Sequence, residues 1–265
     1  MVKKKRTAAY FILSILAILV FLCVWQYCTG YLELVPSTTL PSPVKVAQSF
    51  ANKMVTKAPD GATLLQHTVT SLKVALSGYA LALVIGIPLG ICMAWFEPVD
   101  KLVRPIFDLV KPIPGVAWIP LTIVIFGIGM RAKMAVVFMG AVVPVVLNSY
   151  TGIRQTKEVH IWVARTFGAS RNQMLFRIAI PTALPFIMTG VKVALGSAWI
   201  SIVAAELMGS TKGLGYMIQQ ARGILRVDLV IDGMIMIGIC GGILTYLLSV
   251  VERMVVKGRE NHEKK

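Results

Sequence analysis

The chain has few charged residues and lacks the polar composition of a soluble protein. Only 15% of its 265 residues are charged, 56% are hydrophobic, and the mean hydropathy is +0.75. An ordinary soluble domain carries about 25% charged residues. The shortage of charge therefore excludes a soluble globular fold and predicts an integral membrane protein with one domain of several spans.

Residue sets for catalysis or metal binding are also missing from the sequence. The four cysteines lie within apolar runs, without a CxxC pair, and we interpret them as packing residues. There is no Ser/His/Asp set and no pair of carboxylates, and we interpret the lone His67 as a solvated interfacial residue. These absences argue against an enzyme, a metal site or a bound cofactor.

No phosphate-binding loop of the form GxxxxGK[ST] occurs in the chain. The segment from Gly209 to Gly213 comes nearest, but its spacing is wrong. If ATP drives this protein, another chain must hydrolyse it. The net charge of +15 does not indicate nucleic acid, because lysine and arginine collect in loops and tails rather than on one soluble face.

Six apolar runs predict six membrane spans. The expected order is a cytoplasmic tail (1–7), a first uncleaved span (8–28), an extracytoplasmic connection (29–66), a five-helix core (67–251) and a cytoplasmic tail (252–265). An amphipathic helix is expected at 44–57 and a short charged turn at 97–104. Lysine and arginine are about twice as frequent on the side that carries both termini, which predicts cytoplasmic termini.

The third predicted span, 105–126, contains Pro112, Pro114 and Pro120. Three prolines within one span predict a kinked or broken helix, because each proline removes a backbone donor. The freed carbonyl groups must face protein or a water-filled path. Glycines in the second span, at 78, 86 and 90, predict close approach of neighbouring helices.

A basic loop, 154–177, separates two long apolar runs and belongs on the cytoplasmic side. Val159, Val163 and Phe167 recur every four residues, which predicts a short helix with one apolar face that ends at Gly168. A helix of this length cannot bury its apolar face alone. It either lies on lipid or fits into another protein, and we favour the protein.

The loop carries a recognisable motif. Gly168, nine residues, Ile178, any residue, Ile180 and Pro181 resemble the cytoplasmic signature of ATP-binding-cassette importer permeases. Trp162-Val163-Ala164 stand where that family has Glu-Ala-Ala, so the glutamate is absent. Five further segments resemble the nitrate/sulfonate/taurine branch: LPSPxxV (40–46), TSLKVALSGYALALVIGIPLG (70–90), PIPGVAWIPL (112–121), FGIG (126–129) and AWISIVAAELMGSTKGLGYMI (198–218).

The resemblance implies an all-α integral membrane protein with the six-helix fold of small type I importer permeases and a cytoplasmic coupling helix. Two copies would form the pore in the cell membrane, two ATPase subunits would dock inside, and an extracytoplasmic binding protein would deliver substrate. A sulfonate such as taurine or an alkanesulfonate is the leading substrate, followed by nitrate and bicarbonate, with a thiamine precursor or riboflavin as the alternative. Residues expected to couple to the ATPase are Trp162, Val163, Ala164, Phe167, Gly168, Ala169 and Pro181.

Residues within the spans are candidates for the translocation path: Pro112, Pro114, Trp118, Lys192, Trp199 and Glu206. Lys192 is either an electropositive wall for an anion or a residue that snorkels or pairs within the bundle. Glu206 either closes an outer gate, holds the loop 209–215, or simply lies at the interface. A secondary transporter would need intramembrane carboxylates, and Glu206 is the only one we expect near a span interior.

Overall fold

The computed structural model describes the backbone from residue 2 to 263 and the side chains from 13 to 255, so residues 1, 264 and 265 of the predicted tails lie outside it. Every regular element in that part is helical. The α-helices are α1 (Val2–Gln26), α2 (Pro43–Val55), α3 (Leu64–Trp95), α4 (Glu97–Val110), α5 (Ile119–Phe126), α6 (Met130–Arg154), α7 (Glu158–Thr166), α8 (Arg171–Met174), α9 (Ile180–Met208), α10 (Leu214–Gly223) and α11 (Val227–Glu263).

Five stretches of the described chain are long and apolar enough to cross a membrane. They are Leu13–Tyr31, Leu64–Trp95, Met130–Arg154, Arg171–Met208 and Val227–Val255. A sixth span arises if Glu97–Val110 and Gly115–Phe126, which meet at 88°, count as one broken span. The predicted all-α membrane fold is confirmed, and the third span is the broken one.

The region 97–104 is not the charged turn that the sequence analysis predicts. It forms the first turns of α4, because Pro98 is favourable in a first turn and Glu97 carries a favourable charge there. Two pairs one turn apart add support: Glu97 with Lys101 at 2.8 Å and Asp100 with Arg104 at 2.9 Å. The bend then falls at the prolines of segment 111–114, where the expected break is confirmed.

The first compact unit comprises residues 1–67 and 217–236. Its helix α2 confirms the amphipathic helix expected at 44–57. Lys53 on α2 is 2% exposed, and its ammonium group donates hydrogen bonds to Asp60 Oδ1 at 2.5 Å and to the carbonyl groups of Ala58 at 3.0 Å and Ala62 at 2.9 Å. One buried lysine therefore fixes the turn between α2 and α3.

Two expectations about polar residues in this unit are wrong. His67 is fully buried, not solvated, and its Nε2 lies 3.3 Å from Asp60 Oδ2. Glu206 is not the only acidic residue near a span interior, because Asp232 on α11 is fully buried and accepts a hydrogen bond from Ser49 at 2.6 Å. Each of these buried residues has a polar neighbour from another element: Asp60 beside His67, and Ser49 beside Asp232.

The second compact unit comprises residues 68–216 and 237–265. Helix α6 packs against both α3 and α9 in this unit. A Cβ added to Gly90 of α3 would lie 2.6 Å from the carbonyl oxygen of Val146, and one added to Gly190 of α9 would lie 2.6 Å from Asn148 Cβ. The predicted close approach at small residues is confirmed, and any larger residue would push these helices apart.

The buried lysine provides a test of what holds the first unit together. We expect Lys53→Met to destabilise the protein by about 3–5 kcal/mol, because it leaves the buried Asp60 without its cation. Denaturant-induced unfolding of the purified protein in detergent measures the loss. The matched control is Lys45→Met, since Lys45 is exposed and, among the residues that the structure describes, donates only to Ser37 at 3.2 Å. Equal stability of the two variants would contradict the assignment.

Candidate functional site

The loop between α6 and α9 carries the short helix that the sequence analysis predicts. Helix α7 ends at Thr166, and Gly168, two residues later, has a φ of +77° in the left-handed region. The N–H of Gly168 donates to the carbonyl of Arg165 at 2.9 Å, and the N–H of Ala169 donates to that of Ala164 at 3.0 Å. This pair of bonds is a Schellman motif, in which glycine is the favoured residue. The predicted helix end is confirmed.

Helix α7 buries none of its side chains. Its apolar residues Val159, Trp162, Val163 and Phe167 follow helical spacing, and Trp162 is 59% and Phe167 86% exposed. An exposed apolar patch of this kind, rimmed by charge, is typical of a protein or membrane contact surface. We call the four residues the α7 face.

The chain on the C-terminal side of α7 is firmly anchored. Ser170 caps α8 in a reciprocal capping box with Gln173, and Arg171 donates to the carbonyl of Trp95 at 2.9 Å. The guanidinium of Arg171 also lies 5.1 Å from the ring centre of Phe96. A π-helical turn (Leu175–Ala179) leads into α9, where Pro181 occupies the first turn. The α7 face therefore projects from a loop that is tied to the end of α3.

The other end of α9 holds a buried polar network around Glu206, which is 1% exposed. Its carboxylate accepts hydrogen bonds from the Ser71 hydroxyl at 2.8 Å and from the N–H of Gly215 at 2.9 Å. The N–H of Leu214 donates to Ser71 Oγ at 2.9 Å. Within the same unit, Lys133 donates to the hydroxyl of Ser210 at 2.9 Å. These bonds tie the loop 209–215 to α3, α6 and α9.

The loop requires a glycine at position 213, where it passes the Glu206 carboxylate. The φ of Gly213 is +135°, and a Cβ there would lie 2.2 Å from the Glu206 carboxylate. Only a residue without a side chain lets the loop pass this close to a buried carboxylate. Of the alternatives for Glu206, its contacts favour holding the loop.

A cavity of about 300 Å³ lies between the bend at 111–114, α6 and α9. Its lining includes Lys111, Pro114, Gly115, Gly140, Ser197 and Ser201. It belongs entirely to the second unit. All six expected path residues belong to this unit, and one of them, Pro114, lines the cavity.

The structure separates the expected path residues. Pro114 lines the cavity, whereas Pro112 and Trp118 flank it in the chain. Trp199 is 8% exposed and donates to the carbonyl of Ile237 at 3.1 Å, so it packs against α11. Lys192 forms an ion pair with Glu252 of α11, in line with the pairing alternative.

Several polar residues around these sites escaped the sequence analysis: Ser71, Lys133, Ser197 and Ser201. Ser197 and Ser201 had a visible signal, because two hydroxyl residues four positions apart share one face of an apolar helix. Ser71 had none, because its partner Glu206 is 135 residues away.

These features define a helical membrane permease: a bundle with a broken span, a cavity beside the break, and an exposed short helix on an anchored loop. The chain belongs to the family of binding-protein-dependent transport system inner membrane components, whose profile matches residues 86–260.

Named relatives are similar over most of their length. The taurine transport system permease protein TauC of Escherichia coli (strain K12) is 36% identical over 91% of this chain and 87% of its own. The putative aliphatic sulfonates transport permease protein SsuC of Bacillus subtilis (strain 168) is 31% identical over 92% and 86%. The nitrate import permease protein NrtB of Synechocystis sp. is 30% identical over 92% and 89%.

Among solved structures, the inward-facing MetNI methionine ABC transporter contains a chain similar in fold. The TM-score is 0.64 at 20% sequence identity, covering 73% of this chain and 96% of that one. At this identity the likeness shows the fold alone, that of an importer permease.

The Glu206 network gives a second prediction. We expect Glu206→Gln to speed amide hydrogen exchange in the segment 209–216 by about tenfold or more. The variant loses hydrogen bonds to a charged group, each contributing about 1.5–3 kcal/mol, and its amide NH₂ opposes the N–H donors. Exchange followed by mass spectrometry measures the change. Glu252→Gln is the control, because its carboxylate pairs with Lys192 elsewhere. Unchanged exchange in 209–216 would contradict the role.

Proposed function

We propose that the chain is the permease subunit of an ATP-driven importer and forms the translocation path for a small anion, with a sulfonate such as taurine as the leading substrate. The observation that carries this proposal is the exposed α7 face on its anchored loop. A subunit without a phosphate-binding loop needs such a contact surface to receive energy from an ATPase.

The α7 face is the surface that we assign to the ATPase. Trp162, Val163 and Phe167 supply an apolar face that fits a groove of the partner, as amphipathic helices do in peptide recognition. The close turn at Gly168 and Ala169 sets the angle at which α7 leaves the loop, and Pro181 starts the span that the loop feeds. Because Trp162 replaces the family's glutamate, apolar contact rather than a carboxylate carries the binding.

The arrangement in the membrane follows from the same assignment. The loop 154–177 and both termini lie in the cytoplasm, in accord with the excess of lysine and arginine on that side. Two copies of the chain form the path, two ATPase subunits bind inside, and a binding protein docks on the extracytoplasmic side. The family description, a binding-protein-dependent system, supports the last of these partners.

The printed names of the relatives and the charge of the cavity lining both favour an anionic substrate. The printed names of the relatives specify taurine, aliphatic sulfonates, nitrate and bicarbonate, all of which carry an oxyanion group. None of the residues that line the cavity is acidic, and Lys111 is among them. An ion-coupled secondary transporter is less well supported, because both fully buried carboxylates near span interiors already accept hydrogen bonds: Glu206 from Ser71 and Gly215, and Asp232 from Ser49.

Reconstitution tests the proposal directly. We expect proteoliposomes with the permease, its ATPase and a taurine-loaded binding protein to accumulate taurine only when ATP is present on the ATPase side. Omission of the ATPase is the control and abolishes uptake. Accumulation driven by a proton or sodium gradient without an ATPase would overturn the proposal, and binding of riboflavin in place of taurine would move it to another substrate.

The turn after α7 gives a prediction about coupling. Gly168→Val places a β-branched residue at φ +77°, which costs about 1–2 kcal/mol in backbone strain. No heavy atom lies within 4 Å of the added Cβ, so the change acts through the backbone alone. We expect the variant to insert normally and to import several-fold less taurine for each ATP hydrolysed.

Gly61→Val is the matched control for this strain. Gly61 has a φ of +82° and also has nothing within 4 Å of an added Cβ, but it lies in the first unit, far along the chain from α7. We expect this variant to lose a similar free energy of unfolding. It should still import the wild-type amount of taurine for each ATP hydrolysed, which is the coupling ratio. A Gly168→Val complex with the wild-type ratio would contradict the coupling role of the loop.

A further inference from the structure

The cavity beside the broken span has a hydroxyl-bearing wall on α9. Ser197 and Ser201 lie four residues apart, so their side chains share one face of the helix. Ser201 is only 4% exposed as a residue, but its Oγ is not sealed from the cavity, and no group of the described residues hydrogen-bonds to it. By contrast, Ser249 in α11 donates to the carbonyl of Thr245 at 2.9 Å, as serine residues in apolar helices commonly do.

The Ser201 hydroxyl reaches the surface of the cavity with its donor hydrogen available to a ligand. Two glycines leave the space beside it open. A Cβ added to Gly140 would lie 2.2 Å from Ser201 Oγ, and one added to Gly115 would lie 3.0 Å from the same atom. Side chains at these positions would fill the cavity and cover the hydroxyl. The chain thus keeps a donor accessible at a point where helices otherwise pack tightly.

The other residues that line the cavity are compatible with a negatively charged ligand. No aspartate or glutamate lines the cavity, and the one charged lining residue is Lys111, whose ammonium lies 2.7 Å from Asp108 Oδ1. The cavity lining therefore presents no carboxylate that would repel an anion.

We propose that Ser201, together with Ser197, donates hydrogen bonds to the oxyanion group of the substrate as it crosses the membrane. The assignment rests on the proposed function and adds a selective step within the permease to any selection by the binding protein. Neutral hydroxyl groups suit a transient contact, because a pathway must hold its solute firmly enough to admit it and weakly enough to release it. Lys192 cannot supply the same contact while its charge pairs with Glu252.

The test compares Ser201→Ala with Ser249→Ala in the complete complex in proteoliposomes. Both changes remove one hydroxyl from a spanning helix, but only the first removes a donor from the cavity. We measure the initial rate of taurine uptake at saturating loaded binding protein, together with ATP hydrolysis. Ser201→Ala should lower taurine uptake per ATP by about tenfold, because a hydrogen bond to a charged group is lost.

A second variant fills the space beside the same hydroxyl from α6, the opposite wall of the cavity. Gly140→Ala places a methyl group against Ser201 Oγ and should lower uptake per ATP without removing the serine. In Ser201→Ala, stimulation of ATP hydrolysis by the loaded binding protein should stay at the wild-type level; this readout is not required of Gly140→Ala, because Gly140 also lies in the contact between α6 and α9. A purely structural defect would reduce that stimulation too, and such a result would overturn the assignment.

The remaining outcomes separate this inference from the proposed function. Wild-type rates of taurine uptake in Ser201→Ala, or an equal loss in Ser249→Ala, would overturn the role of Ser201 and leave the importer standing. A wild-type complex that imports no oxyanion at all would instead overturn the proposed function, and the substrate contact with it.

Discussion

Close packing of α6 against α9 is the constraint on which the second unit depends. Helices in lipid gain no hydrophobic free energy from each other, so they associate through tight van der Waals contact at small residues. Gly190 and Gly152 bring the two backbones together over one stretch, and Gly140 does so beside Ser201. The same packing that holds the bundle also fixes the walls of the cavity, because Gly140 and Ser201 belong to these two helices.

The sequence predicted those features that local pattern determines. Apolar length predicted the spans, three prolines predicted the break, and helical periodicity with Gly168 predicted α7 and its end. The start of α4 was missed because two charged pairs stabilise it. A cluster of four charged residues is equally typical of a polar turn. Resemblance to a family added the fold and the partners, which no periodicity could have supplied.

Contacts between distant residues were beyond the reach of sequence patterns. The sequence pattern predicts that Lys53 is a surface lysine on an amphipathic helix. In the structure it is buried, and its ammonium group donates to three acceptors within ten residues of it. Ser71 and Glu206 meet only after the chain has passed through several helices. Charged and hydroxyl residues are tolerated in apolar surroundings when a partner satisfies them, and a single sequence does not show which partner folding brings near.

Helix α9 links the three sites of the second unit along one rod. Its 29 residues span roughly 43 Å, from Pro181 beside the anchored α7 loop, past Ser201 at the cavity, to Glu206 under the loop 209–215. A continuous helix transmits displacement along its length, whereas the π-helical turn Leu175–Ala179 just before it is a natural place for local adjustment. In the proposed importer, force applied to the α7 face would reach the serine wall and the Glu206 network through α9. Local adjustment would fall at the π-helical turn and at Pro185 inside the helix.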